Sequence, residues 1–180
     1  MKNQNTKKLA YTALFLALCL VLPMLTGQIP QIGSMLLPMH IPVLLCGLVC
    51  GWQYGAAVGF VAPLLRSVLF GMPPMYPVAI AMAFELLTYG LVIGLVYRRM
   101  AQKGAAGVYA ALLTAMVAGR LVWGVAEVVL LGLGGKAFTA QAFLAGALLN
   151  AVPGIIVQLV LIPAVTAALQ KAGPVKEYAE

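Results

Sequence analysis

Read from its amino end, the chain alternates long apolar runs with short polar or Gly/Pro-rich breaks. Residues 1–8 are polar and basic, and an apolar run follows over 8–26. An uncharged loop rich in Gly, Pro, Gln and Ser fills 27–38. Further apolar runs cover 40–51, 55–70, 77–97, 108–133 and 140–169. They are separated by Trp52-Gln53-Tyr54, by the breaker Gly71-Met72-Pro73-Pro74, by the polar connection Arg98 to Gly107, and by Gly134-Gly135-Lys136. A bilayer-spanning helix takes about 20 apolar residues, so these runs predict six spans, the second of them short. The runs are continuous rather than alternating, which predicts helices and not barrel strands. The last run is longer than a bilayer requires, and Pro153 and Pro163 predict bends in it. The expected fold is all-α: a bundle of six transmembrane helices forming a single polytopic domain over residues 1–180. Lys7 and Lys8 before the first run have the general form of a signal peptide. That run is long and no clear A-x-A cleavage site follows, so a retained first helix is expected.

Composition agrees with this pattern. Apolar residues make up 63% of the chain and charged residues only 8%, against roughly 25% charged in an ordinary soluble domain. A soluble globular domain and a disordered chain are both excluded. The net charge of +7 forms no basic stripe for nucleic acid. It reads instead as topology. With the amino terminus in the cytoplasm, Lys2, Lys7, Lys8, Arg98, Arg99, Lys103, Lys171 and Lys176 fall on the inner side and only Lys136 on the outer. The positive-inside rule then predicts an N-in, C-in protein. The cysteines, Cys19, Cys46 and Cys50, lie in apolar runs without metal-ligand spacing, and no metal site or cofactor is expected. The chain has no Asp and one His, and it lacks HExxH, GxSxG and GxxxxGK[ST]. Zinc protease, serine hydrolase and ATPase chemistry therefore have no motif here.

Ionisable groups inside a span cost about 2.5–3.5 kcal/mol each on insertion scales, so each invites a functional reading. Arg66, Glu85, Arg120 and Glu127 are such groups, and Asn150 and Gln158 add uncharged polarity. Span positions put Glu85 and Arg120 near mid-membrane, Arg66 and Glu127 nearer the outer ends, and Asn150 between. A pocket opening to the exterior follows, lined by Arg66, Tyr76, Glu85, Tyr89, Arg120, Trp123, Glu127 and Asn150 together with the 27–38 loop. Arg120, Trp123 and Glu127 share a helix face at i, i+3 and i+7. An Arg fork beside an indole plane suits a flat or carboxylated organic ligand. Asn150, between Gly146 and Gly154, suits a ligand or an interhelical hydrogen bond. The pairs Glu85–Arg120 and Arg66–Glu127 would alternatively neutralise each other, and Arg66 would alternatively snorkel outward. His40, flanked by Pro38 and Pro42 at the mouth of span 2, reads as structural. Gly47, Gly51, Gly55 and Gly59, and the Gly90/Gly94 pair, predict close helix packing.

The AxxxA of Ala13 to Ala17, the uncharged 27–38 loop, and Met39-His40-Ile41-Pro42-Val43 before a Gly-rich run carry a family likeness. With its size and six spans, the chain resembles a substrate-binding S component of an energy-coupling factor (ECF) vitamin transporter, in particular the group that includes pantothenate-type components. The resemblance implies capture of a vitamin or related small molecule from outside, with a lean to pantothenate. It also implies a multi-pass protein of the bacterial cell membrane, docking through Ala13 and Ala17 on a shared transmembrane scaffold subunit. Two separate ATPase subunits would hydrolyse ATP, so the chain itself is expected not to be an enzyme. The 27–38 loop would be a lid, and the S component would topple in the membrane on docking. The alternatives are a structural membrane protein whose intramembrane charges only pair, and an intramembrane enzyme using Glu85 or Glu127 with His40.

Overall fold

A computed structural model describes residues 2–25, 35–100, 103–135, 139–145 and 151–172. Helix α1 runs Lys2–Leu25, α2 His40–Val49, α3 Trp52–Phe70, α4 Ile80–Met100, α5 Ala105–Leu133, α6 Ala140–Leu144 and α7 Val152–Ala172. A wide helical turn, Met75–Ala79, leads into α4. There is no strand among the described residues. Five segments are long and apolar enough to cross a membrane: Asn5–Leu25, Trp52–Phe70, Met75–Met100, Ala105–Leu133 and Val152–Lys171. The stretch 140–169 thus carries two helices, with Pro153 in the first turn of α7, where its missing N–H is tolerated, and Pro163 inside it.

Helix α2 is the exception in length. Its ten residues reach about 15 Å, half the roughly 30 Å of hydrocarbon in a bilayer. It is also the most enclosed: all of its residues but Ile41 are buried. A helix apolar on every side belongs in the interior, and α2 is packed by α1, α3, α4 and α7.

Glycine makes that interior possible. A methyl on Gly90 of α4 would land on the Gly55 carbonyl of α3, and one on Gly59 would land on the Leu86 carbonyl. A methyl on Gly47 of α2 would come within 2.7 Å of the Gly90 carbonyl, and one on Gly94 within 2.6 Å of the Trp52 backbone. Three helices therefore meet backbone to backbone, the arrangement that lets helices associate in lipid without a hydrophobic driving force. Gly51 differs from the packing role its four-residue spacing predicts. It stands at φ +98 between α2 and α3, with nothing within 4 Å of its would-be Cβ. Its contribution is the left-handed turn that reverses the chain. Gly71 ends α3 in the same way, at φ 67, donating to the Ser67 carbonyl at 2.9 Å.

The outer surface is apolar. Leu113, Val117, Leu121 and Val125 of α5 and Ile156 and Val160 of α7 are all exposed. So are Leu9, Leu14 and Val21 of α1. Such a continuous apolar surface is what a bilayer covers.

Candidate functional site

The start of α2, the amino-terminal part of α4 and the middle of α5 bring three ionisable side chains together. Glu85 Oε1 lies 3.0 Å from Arg120 Nη1 and 3.3 Å from His40 Nε2. Glu85 is 1% exposed and His40 is 1% exposed. Both contacts are at ionic distance but out of line for a hydrogen bond, so Glu85 Oε1 and His40 Nε2 have no hydrogen-bond partner. His40 is the first residue of the ten-residue helix α2, and it meets Glu85 five residues past the start of α4.

Aromatic side chains wall the cluster. The Tyr89 ring, one turn along α4, stands edge-on to His40 with centroids 5.0 Å apart. It fits because Gly119 of α5 has no side chain, where a methyl would overlap the ring. The Arg120 guanidinium lies 6.0 Å from the centre of the Trp123 ring, at the limit of a cation–π contact. Trp123 in turn stacks on Phe143 of α6, at 6.1 Å and an interplanar angle of 25°.

Several buried polar atoms have no hydrogen-bond partner among the described residues: Arg120 Nε and Nη2, His40 Nδ1, and both amide atoms of Gln158. Gln158 shares the depth of Glu85. Gln170 Nε2 donates to the Tyr97 hydroxyl at 2.8 Å and so ties α7 to α4 near their carboxyl ends. Gln158 and Glu85 each lie about 18 Å back from that tie, at 1.5 Å per residue. Buried polar groups are nearly always satisfied in folded proteins, so these atoms call for a partner such as a water, an ion or a ligand.

The expected site residues separate into two groups. Glu85, Tyr89, Arg120 and Trp123 come together. Glu127 is buried on the same face of α5, two turns from Arg120, and is not paired with Arg66. Arg66 is buried on α3 and donates through Nη1 to the Leu20 carbonyl of α1, with its Cζ 5.2 Å from the Phe70 ring centre. Tyr76 is 48% exposed and its hydroxyl donates to the Leu130 carbonyl, joining the entry of α4 to the carboxyl-terminal part of α5. Asn150 and most of the 27–38 loop lie outside the described residues. The residues that sequence reasoning left out are His40, read as structural, and Gln158, noted as polar but not assigned.

A groove of about 400 Å³ between α4 and α5 is separate from this cluster. Phe84, Leu121, Val125 and Val129 wall it, and all four are exposed. Glu85, adjacent to Phe84 in sequence, points to the opposite, interior side of α4. The groove therefore belongs to the lipid-facing surface. On α1, Phe15, Cys19 and Pro23 turn inward while Ala13 and Ala17 are exposed, so the AxxxA faces away from the bundle.

Residues 7–166 match the family model described as "ECF transporter, substrate-specific component". No curated protein and no solved structure matches the chain. The family match runs from Lys7 of α1 into the last helix and spans every residue of the ionic cluster. The chain belongs to the substrate-specific components of ECF transporters.

Proposed function

We propose that the chain captures a vitamin or related small molecule in the pocket built around His40, Glu85 and Arg120, with Tyr89 and Trp123 as its walls. Pantothenate is the leading candidate. Glu127, Asn150 and the 27–38 loop complete the pocket toward the outer side. Arg66 and Tyr76 border it by fixing α1 and α5. The single observation carrying this reading is the set of buried nitrogens on Arg120 and His40 that have no hydrogen-bond partner among the described residues. A charged cluster at mid-membrane depth is costly, and a structural pair alone would be expected to satisfy itself.

The substrate-specific components of this family act with a membrane scaffold subunit and ATPase subunits. In our reading the chain sits N-in, C-in in the bacterial cell membrane, its pocket toward the exterior. Ala13 and Ala17 form the contact with the scaffold, since small side chains on an outward helix face allow close approach of a partner helix. ATP hydrolysis is left to the partners.

The ionic contact between Glu85 and Arg120 favours a second reading, in which the charges only hold helices together. A thermal-shift screen of the detergent-purified chain against B vitamins and their precursors separates the two. A ligand that binds only the folded state raises apparent stability by about 2.7 kcal/mol at a hundredfold excess over Kd. We expect a shift with one compound or one close set of compounds. A cooperative melt that no compound moves would favour the structural reading. Ala13→Leu and Ala17→Leu are expected to leave that shift intact while abolishing co-purification with the scaffold subunit. Normal assembly of both variants would remove the AxxxA from the docking face.

A further inference from the structure

We propose that the substrate carries a carboxylate, seated on the Nε–Nη2 edge of Arg120. The inference rests on the substrate-binding reading above and adds the chemical class of the ligand.

A guanidinium presents its donors in a planar fork, and two of its edges can each hold a carboxylate through parallel N–H groups. Glu85 approaches Arg120 at Nη1, 3.0 Å away. Nε and Nη2 are buried and have no hydrogen-bond partner among the described residues. They form the side-on edge of the same fork, and it is unoccupied by Glu85. Two parallel N–H donors held in one plane match the two oxygens of a carboxylate in spacing and in charge. A single carbonyl or hydroxyl would leave one of them unmet.

The surroundings favour an anion with one charge. Glu85 lies against Arg120, and Glu127 farther along the same face of α5 is also buried. Repulsion from these carboxyl groups grows with the charge of the ligand, so a doubly charged phosphate is disfavoured more than a carboxylate. The amino end of α2 is also here. It starts at His40 without a side-chain cap, so the positive end of its dipole is directed to the same region. Gln158, buried on α7 with both amide atoms unmatched, is a partner for a hydroxyl or amide elsewhere on the substrate.

The test compares acids with their uncharged partners on the detergent-purified full chain: pantothenate with panthenol, nicotinate with nicotinamide, and biotin with its primary amide. Riboflavin, thiamine and pyridoxine serve as non-carboxylate probes. We expect one acid to raise the melting temperature and its uncharged partner to bind at least tenfold more weakly. Arg120→Lys retains a cation for Glu85 but loses the second edge. It is expected to melt near the parent chain and to bind that acid at least tenfold more weakly. Equal binding of acid and uncharged partner, a shift confined to the non-carboxylate probes, or full affinity in Arg120→Lys would overturn the carboxylate while leaving the substrate-binding reading standing. A cooperative melt that none of these compounds moves would overturn both. Should Arg120→Lys fail to fold, the acid-against-partner comparison on the parent chain decides alone.

Discussion

Arg120→Ala is expected to lower the stability of the folded chain by about 3–5 kcal/mol and to weaken substrate binding at least tenfold. The two effects have one origin. Glu85 is 1% exposed and its ionic neighbours among the described residues are Arg120 and His40. Removing the guanidinium leaves a carboxylate in an interior where its charge is poorly solvated, and that penalty exceeds the net worth of the intact pair. The double variant Arg120→Met with Glu85→Met separates stability from binding. Replacing a buried pair by apolar side chains of similar size is often neutral or stabilising. The double variant is thus expected to recover the melting temperature but not the affinity. Thermal melts with and without ligand measure both. If the double variant also binds, the pair is a structural strut and the ligand lies elsewhere.

Replacing Gly90 with Val should be the most damaging change in the apolar interior. Its would-be Cβ falls on the Gly55 carbonyl and lies 2.8 Å from the Ala56 nitrogen. Those are backbone atoms, so no rotamer change relieves the overlap, and α3 and α4 must separate. Overpacking of a close-packed site costs about 1–3 kcal/mol when side chains can shift, and here they cannot. We expect little or no monodisperse protein after purification. Gly132→Ala on α5, where nothing lies within 4 Å of the added methyl, is the matched control. It should purify and melt like the parent. Survival of Gly90→Val with an unchanged melt would mean that the three-glycine contact is looser than described.

Much of this was legible in the sequence, because hydropathy reports the solvent each segment meets. The long helices follow the apolar runs, and the Glu85–Arg120 contact follows from both residues lying mid-span. What was not legible depends on which helix neighbours which. Depth alone places Arg66 at the outer rim, whereas its partner in the fold is the Leu20 carbonyl on α1. Sequence places His40 at the mouth of a span, which gives no sign of its neighbour; in the fold it begins the ten-residue helix α2 and lies buried against Glu85. Gln158 could be recognised as polar, but which way its helix is turned is set by packing on α2 and α5. Spacing likewise grouped Gly51 with the packing glycines, although its backbone angle assigns it to the turn.

The shortness of α2 bears on how a solute would leave. A molecule resting on His40 has beneath it some 15 Å of helix enclosed on every side, a floor rather than a gate. Opening a passage through that floor would mean pulling apart backbones already in contact at Gly47, Gly55 and Gly90. Among the described residues the bundle is thus closed beneath His40, like the floor of a cup. In the proposed reading, cargo in such a cup would be delivered by tipping the vessel, a motion of the whole protein against the lipid that needs no pore through α2.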